Sequence, residues 1–184
     1  MKKKSNWLVI AGLSLGGLCL LGCVAVVALA LLFPSIQKYY MENSSLAIGD
    51  PAPDFELTAL TGETIRLSQY IGQPVLLSLG ATWCPDCRKE APLLEELHRA
   101  HPELTILMVD SKEERNVIQQ FADEFGITHP ILLDGNGAVS DLYQVFAIPT
   151  VLFIDMDGTI RAKIIEGVTP RLLAEKLPLI GIAP

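Results

Sequence analysis

The chain has 184 residues, half of them hydrophobic, and a formal charge of −7. So much apolar material excludes a disordered chain, and 14 Gly and 12 Pro without a fixed period exclude a collagen-like one. Four Cys are too few for a disulfide-built scaffold, and a mean hydropathy of +0.38 asks for a membrane segment.

That segment comes first. Lys2, Lys3 and Lys4 lie in a short N-terminal stretch, residues 1–6, and the next 27 residues, Trp7 to Phe33, carry no charge. About 20 helical residues cross a bilayer core, so 7–33 reads as one transmembrane anchor. No acidic residue precedes Glu42; 11 basic and 21 acidic residues follow Phe33, a net −10. The lysines are expected to hold residues 1–6 in the cytoplasm of a bacterial cell while the acidic remainder crosses the membrane. A surface of that sign disfavours nucleic acid and anionic lipid headgroups. Two other readings compete. Leu20-Leu21-Gly22-Cys23 resembles a lipobox, which would make Cys23 a lipid anchor, but ten apolar residues follow it. A cleaved signal peptide lacks an A-x-A-like site. Cys19 and Cys23, four residues apart, read as small apolar residues of one helix face.

Residues 34–48 read as a tether, with Tyr39 and Tyr40 suited to the membrane interface. One domain is expected over 49–184, long enough for a substantial core. Short strands at 55–57 and 64–67 flank the hairpin signal Thr61-Gly62-Glu63. A buried strand follows at 75–79, a helix over 84–100 with Leu93, Leu94 and Leu97 on one side, and a second buried strand at 104–109. The spacing of Val117, Phe121 and Phe125 predicts a helix over 113–125 that ends at Gly126. A short strand at 131–133, a helix over 138–145, strands at 151–154 and 159–165 and a helix over 170–177 complete the chain. Alternating strands and helices that end in a hairpin and a helix predict an α/β fold, a mixed central sheet with helices on both faces.

The chemistry lies in Trp83-Cys84-Pro85-Asp86-Cys87. Two Cys at i, i+3 bracket one helical turn, so their sulfurs can form a disulfide. Cys84 falls where a helix begins, and the free N–H groups and dipole there favour a thiolate, well below the ordinary thiol value of ~8.5. Cys87, inside the first turn, is expected to be the more buried resolving thiol. Asp86 places a carboxylate between them that opposes the thiolate and favours a reducing couple. Zinc is disfavoured because no second C-x-x-C pair exists in this part, and His98, His101 and His129 lack a zinc module's spacing. A structural disulfide in so tight a loop would be strained, and no His follows Cys87 to suggest haem attachment.

These residues carry a resemblance. Gly49-Asp50-Pro51-Ala52-Pro53-Asp54-Phe55, the block Ala81-Thr82-Trp83-Cys84-Pro85-Asp86-Cys87-Arg88-Lys89-Glu90-Ala91-Pro92, and Ile148-Pro149-Thr150 together resemble the membrane-tethered ResA/TlpA-like thiol–disulfide oxidoreductases, thioredoxin-superfamily proteins with an AhpC/TSA-type domain. The likeness covers nearly all of 49–184. It implies a thioredoxin-like fold, a kink at Pro92, and a cis-proline at Pro149 that shapes a substrate groove beside the Cys pair together with Trp83, Pro85, Ile148 and Thr150. It implies no cofactor beyond a redox-active Cys84–Cys87 disulfide, no metal, disulfide-bearing protein substrates, and a membrane thiol donor that restores the dithiol. Cytochrome c maturation is the commonest role of such relatives.

Two positions depart from the pattern. Ser78 stands where thioredoxin has a buried Asp, so the acid that assists Cys87 must come from elsewhere; Glu166 and Glu56 are the candidates. Leu79-Gly80 replaces two aromatics, and Gly80 is expected to widen the groove. A peroxiredoxin-like peroxidase is a rival reading, but it needs a Thr or Ser where Ala81 stands. A metal-delivery module of this fold is another, but it uses C-x-x-x-C spacing. Val151 to Thr159 also resembles the first motif of haloacid-dehalogenase-type phosphatases, yet only 25 residues follow, and Asp157-Gly158 reads as a hairpin turn. Asp134-Gly135-Asn136-Gly137 lacks the ligand series of a calcium loop.

Overall fold

A computed structural model describes residues 46–165 and 167–183. The expected anchor at 7–33, nearly all of the tether, Cys19, Cys23 and the candidate Glu166 lie outside the described residues. Among the described residues no helix is long and apolar enough to cross a membrane.

Among the described residues seven strands and four α-helices follow one another. They are β1 (Glu56–Thr58), β2 (Thr64–Arg66), β3 (Val75–Gly80), α1 (Pro85–Ala100), β4 (Thr105–Ser111), α2 (Arg115–Phe125), β5 (Ile131–Asp134), α3 (Ala138–Leu142), β6 (Thr150–Ile154), β7 (Ile160–Ile165) and α4 (Pro170–Lys176). Single 3-10 turns occupy Leu67–Tyr70 and Leu177–Ile180. β1 and β2 form an antiparallel hairpin, and the other five strands form one mixed sheet in the order β5-β4-β3-β6-β7. β3, β4 and β5 run parallel, while β6 is antiparallel to β3 and to β7.

The strands β3 and β6 are buried throughout, β4 is buried between its end residues, and all three are mostly apolar because both faces of the sheet are covered. On one face Leu77, Leu79, Leu107, Val109, Leu132 and Leu152 pack with Phe55, Ile65 and α3. On the other Leu76, Ile106, Val151 and Phe153 meet Leu94 and Leu97 of α1 and Leu173 of α4, and Met108 meets Ile118 and Phe121 of α2. Each buried aliphatic or aromatic side chain contributes about 1.5–3 kcal/mol. Tyr143 reaches through the first layer, packs edge-on to Phe55 at 5.9 Å and donates a 2.6 Å hydrogen bond to the Pro53 carbonyl.

Element boundaries moved where a side chain had other work. The second helix starts at Arg115 rather than 113, because Glu113 stays in the preceding loop and turns to Thr82. The third stops at Leu142 rather than 145, and Gln144 takes a left-handed φ of 50°. α2 ends as expected at Gly126, whose φ of 61° suits a residue without Cβ. The phosphatase-like Asp155 is occupied: its Oδ1 accepts the N–H groups of Asp157 and Thr159 and closes the β6–β7 turn. Asp134 likewise accepts the N–H groups of Val139 and Ser140 at the start of α3.

The topology places four segments at one edge of the sheet. The C-terminal ends of β3 and β4 lie side by side, with Gly80 opposite Asp110. The antiparallel β6 brings its first residue, Thr150, opposite Leu79, and β7 returns Ile165 opposite Thr150. The chain after β3, after β4, before β6 and after β7 therefore converges there.

Between α1 and β5 a buried histidine meets a half-buried one. His129 stacks edge-on to His98 at 5.8 Å, and neither of its ring nitrogens has a hydrogen-bond partner. Burial pushes its pKa down to about 4. A histidine depressed below its unfolded value near 6.5 adds stability above that pH, and the stability is lost as pH falls towards 4. At 1.36 kcal/mol per unit the loss is about 3 kcal/mol. His129→Leu is expected to flatten the part of the stability slope between pH 6.5 and 4 that urea unfolding of both proteins measures; an unchanged slope would contradict it.

Candidate active site

Cys84 is the N-cap of α1. The chain leaves β3 at Gly80, turns through Ala81-Thr82-Trp83, and enters the helix with Pro85 at its first position, where a missing N–H is harmless. The Cys84 sulfur accepts the Cys87 N–H at 3.3 Å and donates towards the Ile148 carbonyl at 3.7 Å. Asp86 lies in the first turn, and α1 runs on through Pro92 to Ala100 as one element. Both cysteines are free thiols. The Ile148–Pro149 peptide bond is cis. Thr150 holds the loop by donating its hydroxyl to the Ala147 carbonyl.

The two thiols differ less in area than expected, since both are almost fully buried. They differ in surroundings. Cys84 faces the loop 146–149 and follows Trp83, whose ring is 68% exposed. Cys87 points into the sheet. A Cβ built on Gly80 would lie 2.9 Å from the Cys87 sulfur. Gly80 therefore does not widen a groove, as the sequence reading had it: the space that its missing side chain leaves is filled by Cys87. Burial, the Cys84 sulfur and the Glu90 charge all push the Cys87 thiol up.

A buried acid near Cys87 that the sequence reading did not single out is Glu90. It lies one turn after Cys87 on the buried side of α1, its Oε1 accepts the Ser78 hydroxyl at 2.9 Å, and its Oε2 accepts the Val168 N–H at 3.2 Å. Burial pushes its pKa up to about 7, against the pull of those two hydrogen bonds. Glu56, by contrast, is half-exposed on β1 and forms an ion pair with Arg66. Helical spacing carried the signal, because Cys87, Glu90, Ala91 and Leu94 form one inward stripe. Gly167 adds a meeting point: a Cβ there would touch Asp86, Glu90 and Pro149, each at 3.8 Å.

Two further carboxyls stand under the loop. Glu113 accepts the Thr82 N–H and hydroxyl at 2.5 and 2.7 Å, and Arg88 donates to the Thr82 carbonyl. Asp110, 1% exposed and opposite Gly80, has no hydrogen-bond donor on either oxygen. Burial, and then the Glu113 charge, push it up to about 8. At the surface Asp86 is paired with Lys89 at 2.7 Å, which offsets much of its repulsion of a Cys84 thiolate. Among the described residues no group of three His, Cys, Asp or Glu side chains is placed to hold a metal ion.

Gly80→Ala is expected to displace the Cys87 sulfur, destabilise the fold by about 1–3 kcal/mol and speed alkylation of Cys87. Equal stability and equal alkylation would show that the contact relaxes freely. For Asp110 the sign is the reverse of an ordinary paired carboxylate. A pKa raised from 3.8 means that stability is present below that pH and is lost as pH rises towards 8. Asp110→Asn is expected to be more stable than the parent by ~1–3 kcal/mol at pH 7 and equal to it near pH 4, as urea titrations at the two pH values would show.

Comparison with known proteins agrees with this geometry. Residues 48–163 match the model of the AhpC/TSA family. Thiol-disulfide oxidoreductase ResA of Geobacillus kaustophilus is 37% identical over 132 residues, 71% of this chain and 75% of that protein. A crystal structure of a putative thiol:disulfide interchange protein DsbE from Chlorobium tepidum superimposes with a TM-score of 0.69 at 27% identity, over 74% of this chain and all of the other. StoA from Bacillus subtilis gives 0.60 at 28% identity, over 70% and 98%. A sheet that gathers a helix-capping Cys, its buried partner and a cis-proline at one edge thus has relatives that are named for disulfide exchange. The chain belongs to the AhpC/TSA family and, within it, to the thioredoxin-like thiol–disulfide oxidoreductases of the ResA type.

Proposed function

We propose that this oxidoreductase works as a reductase of protein disulfides outside the cytoplasm, tethered by residues 7–33, with Cys84 as attacking and Cys87 as resolving thiol. The observation that carries the reading is the asymmetry of the pair. One sulfur caps a helix beside an open loop, and the other is sealed against Gly80 and Glu90.

The reaction follows from that asymmetry. The Cys84 thiolate attacks one sulfur of the partner's disulfide. The partner's S–S bond breaks, a Cys84–partner disulfide forms, and the partner's other sulfur leaves and takes a proton. Cys87 then gives its proton to the Glu90 carboxylate and attacks Cys84. The Cys84–partner S–S bond breaks, the partner's sulfur leaves and takes a proton, and the partner departs as a dithiol holding the two electrons that the Cys84–Cys87 pair gave up on becoming a disulfide. Glu90, with a pKa near 7, can accept a proton and return it. The sealed Cys87 has the opposite need: its thiolate is disfavoured until a base stands ready.

Direction follows from the same charges. A couple oxidises strongly when its reduced form is stabilised as a thiolate. Here burial and Glu90 disfavour the Cys87 thiolate, which supports electron donation. Reducing equivalents would then come from a membrane thiol donor, and no cofactor beyond the Cys pair is invoked. A disulfide in an apocytochrome c is one candidate substrate. The uncharged run 7–33 behind three lysines supports the tether and its orientation.

Insulin reduction by the full chain with dithiothreitol tests the reading. Cys84→Ser is expected to abolish turnover, and Cys87→Ser to accumulate mixed disulfides; trapping by Cys84→Ser instead would reverse the roles. Glu90→Gln is expected to slow release of the mixed disulfide about 10²-fold, the scale of a lost general base, and to erase the limb of the pH profile near 7. A profile that kept that limb would remove Glu90 from the proton path.

A further inference from the structure

Two large aromatic side chains stand in full view of solvent on the segments that meet at Cys84: Trp83 precedes it in the chain, and Phe146 lies in the loop whose Ile148 carbonyl approaches its sulfur. Phe146 is 94% exposed and Trp83 is 68% exposed. Ile165, half exposed on the edge strand β7, stands opposite Thr150, the residue after Pro149. Other large apolar side chains, Ile48, Ile71, Met156 and Leu179 among them, are half to two-thirds exposed, but among the described residues none approaches Phe146, whose ring is left almost wholly in water with no packing role.

Their position gives one. Phe146 precedes by two residues Ile148, whose carbonyl lies 3.7 Å from the Cys84 sulfur. In a mixed disulfide the partner's sulfur is bonded to Cys84 at ~2.05 Å, so the partner's chain must run over this edge. Phe146 is two residues of chain from Ile148, at most ~7 Å at ~3.3–3.6 Å per extended residue, so a residue two or three positions from the partner's cysteine has the reach to meet it. Whatever occupies that position covers the ring.

Resting on the proposed reductase activity, we propose that Phe146, with Trp83 and Ile165, forms an apolar docking rim for a partner segment that carries an aliphatic or aromatic residue two or three positions from its reacting cysteine, and that Phe146 sets this preference. The reactive sulfur accepts any accessible disulfide; the rim selects among them by the apolar surface buried next to it. Rings are suited to the task because they offer a large face with only two rotatable bonds to fix.

Single-turnover kinetics of the pre-reduced full chain in detergent test it. Two cyclic peptides of identical length each carry one intramolecular disulfide, with Leu in one and Ser in the other two residues before the reacting cysteine. Hydroxyethyl disulfide, which has no flanking residue, reports the intrinsic reactivity by which each peptide rate is divided. The chain is expected to react with the Leu peptide on the order of tenfold faster than with the Ser peptide. Phe146→Ser is expected to bring that ratio close to one, and Leu179→Ser, an exposed residue of the Leu177–Ile180 turn, to leave it in place. Equal rates for the two peptides on the parent chain, or a ratio that survives Phe146→Ser, would overturn the docking rim while leaving the reductase reading intact. Failure to react even with hydroxyethyl disulfide would overturn the reductase reading and the rim with it.

Discussion

The active site depends on how closely the first turn of α1 approaches the end of β3. A helix usually packs on a sheet with a layer of side chains between. At Gly80 that layer is missing, and the Cys87 sulfur takes its place. This contact, with the helix-cap position of Cys84, makes two chemically identical thiols unequal. It fixes Cys87 in a dry site where an anion is disfavoured, and it fixes the direction of α1 so that Cys84 ends up at the helix start beside the Ile148 carbonyl. Any larger residue at position 80 would lift the helix and move both sulfurs at once.

Negative charge is distributed around this contact by depth. Asp86, outermost, is matched by Lys89 in solvent, where screening leaves little net effect. Glu113, half-buried, spends its two oxygens on Thr82 and thereby holds the turn that carries Trp83 and Cys84. Glu90 and Asp110 are deepest, and both are pushed up, to about 7 and about 8. Two like charges 4 Å apart repel by ~4 kcal/mol at an effective dielectric of 20, so the buried acids do not ionise freely beside Glu113 or a thiolate. Glu90 has donors on both oxygens and Asp110 has none. Glu90 is therefore the group that can switch between its two forms at little cost.

Much of this was legible in the sequence. The apolar runs at 75–79 and 104–109 and the stripe Val117, Phe121, Phe125 gave strands and a helix within a few residues, because periodicity is a local property. Cys84, Cys87 and Pro149 announced themselves by spacing and motif. What escaped depends on contacts between distant segments. Ser78 looked like a lost acid, whereas its hydroxyl donates to a buried acid, Glu90, 12 residues later. Gly80 looked like empty space and is occupied space. Glu113 looked like helix because nothing local says that Thr82, 31 residues earlier, will need its oxygens. Glu56 was attractive by position along the chain, but its partner is Arg66 on the neighbouring strand.

Topology explains why these distant residues meet. Parallel pairing brings the ends of β3 and β4 together, so the turn after Gly80 lies beside Asp110 and Glu113. Antiparallel pairing of β6 with β3 brings the start of β6, with Pro149 before it, to the same edge, and β7 delivers Gly167 and Val168 there on its return. An all-parallel sheet would have put the start of β6 at the opposite edge, away from the sulfurs. The reversal at β6 thus allows one loop to present a carbonyl to Cys84 and a buried N–H after β7 to fix Glu90, while the same loop and the turn before Cys84 carry the exposed rings of Phe146 and Trp83. Helix α1 and strand β4 carry the buried acids Glu90 and Asp110, and the loops at the edge of the sheet carry the exposed apolar groups. Changes to the two can therefore be nearly independent, since loop residues exposed to solvent contribute little to the stability of the sheet beneath them.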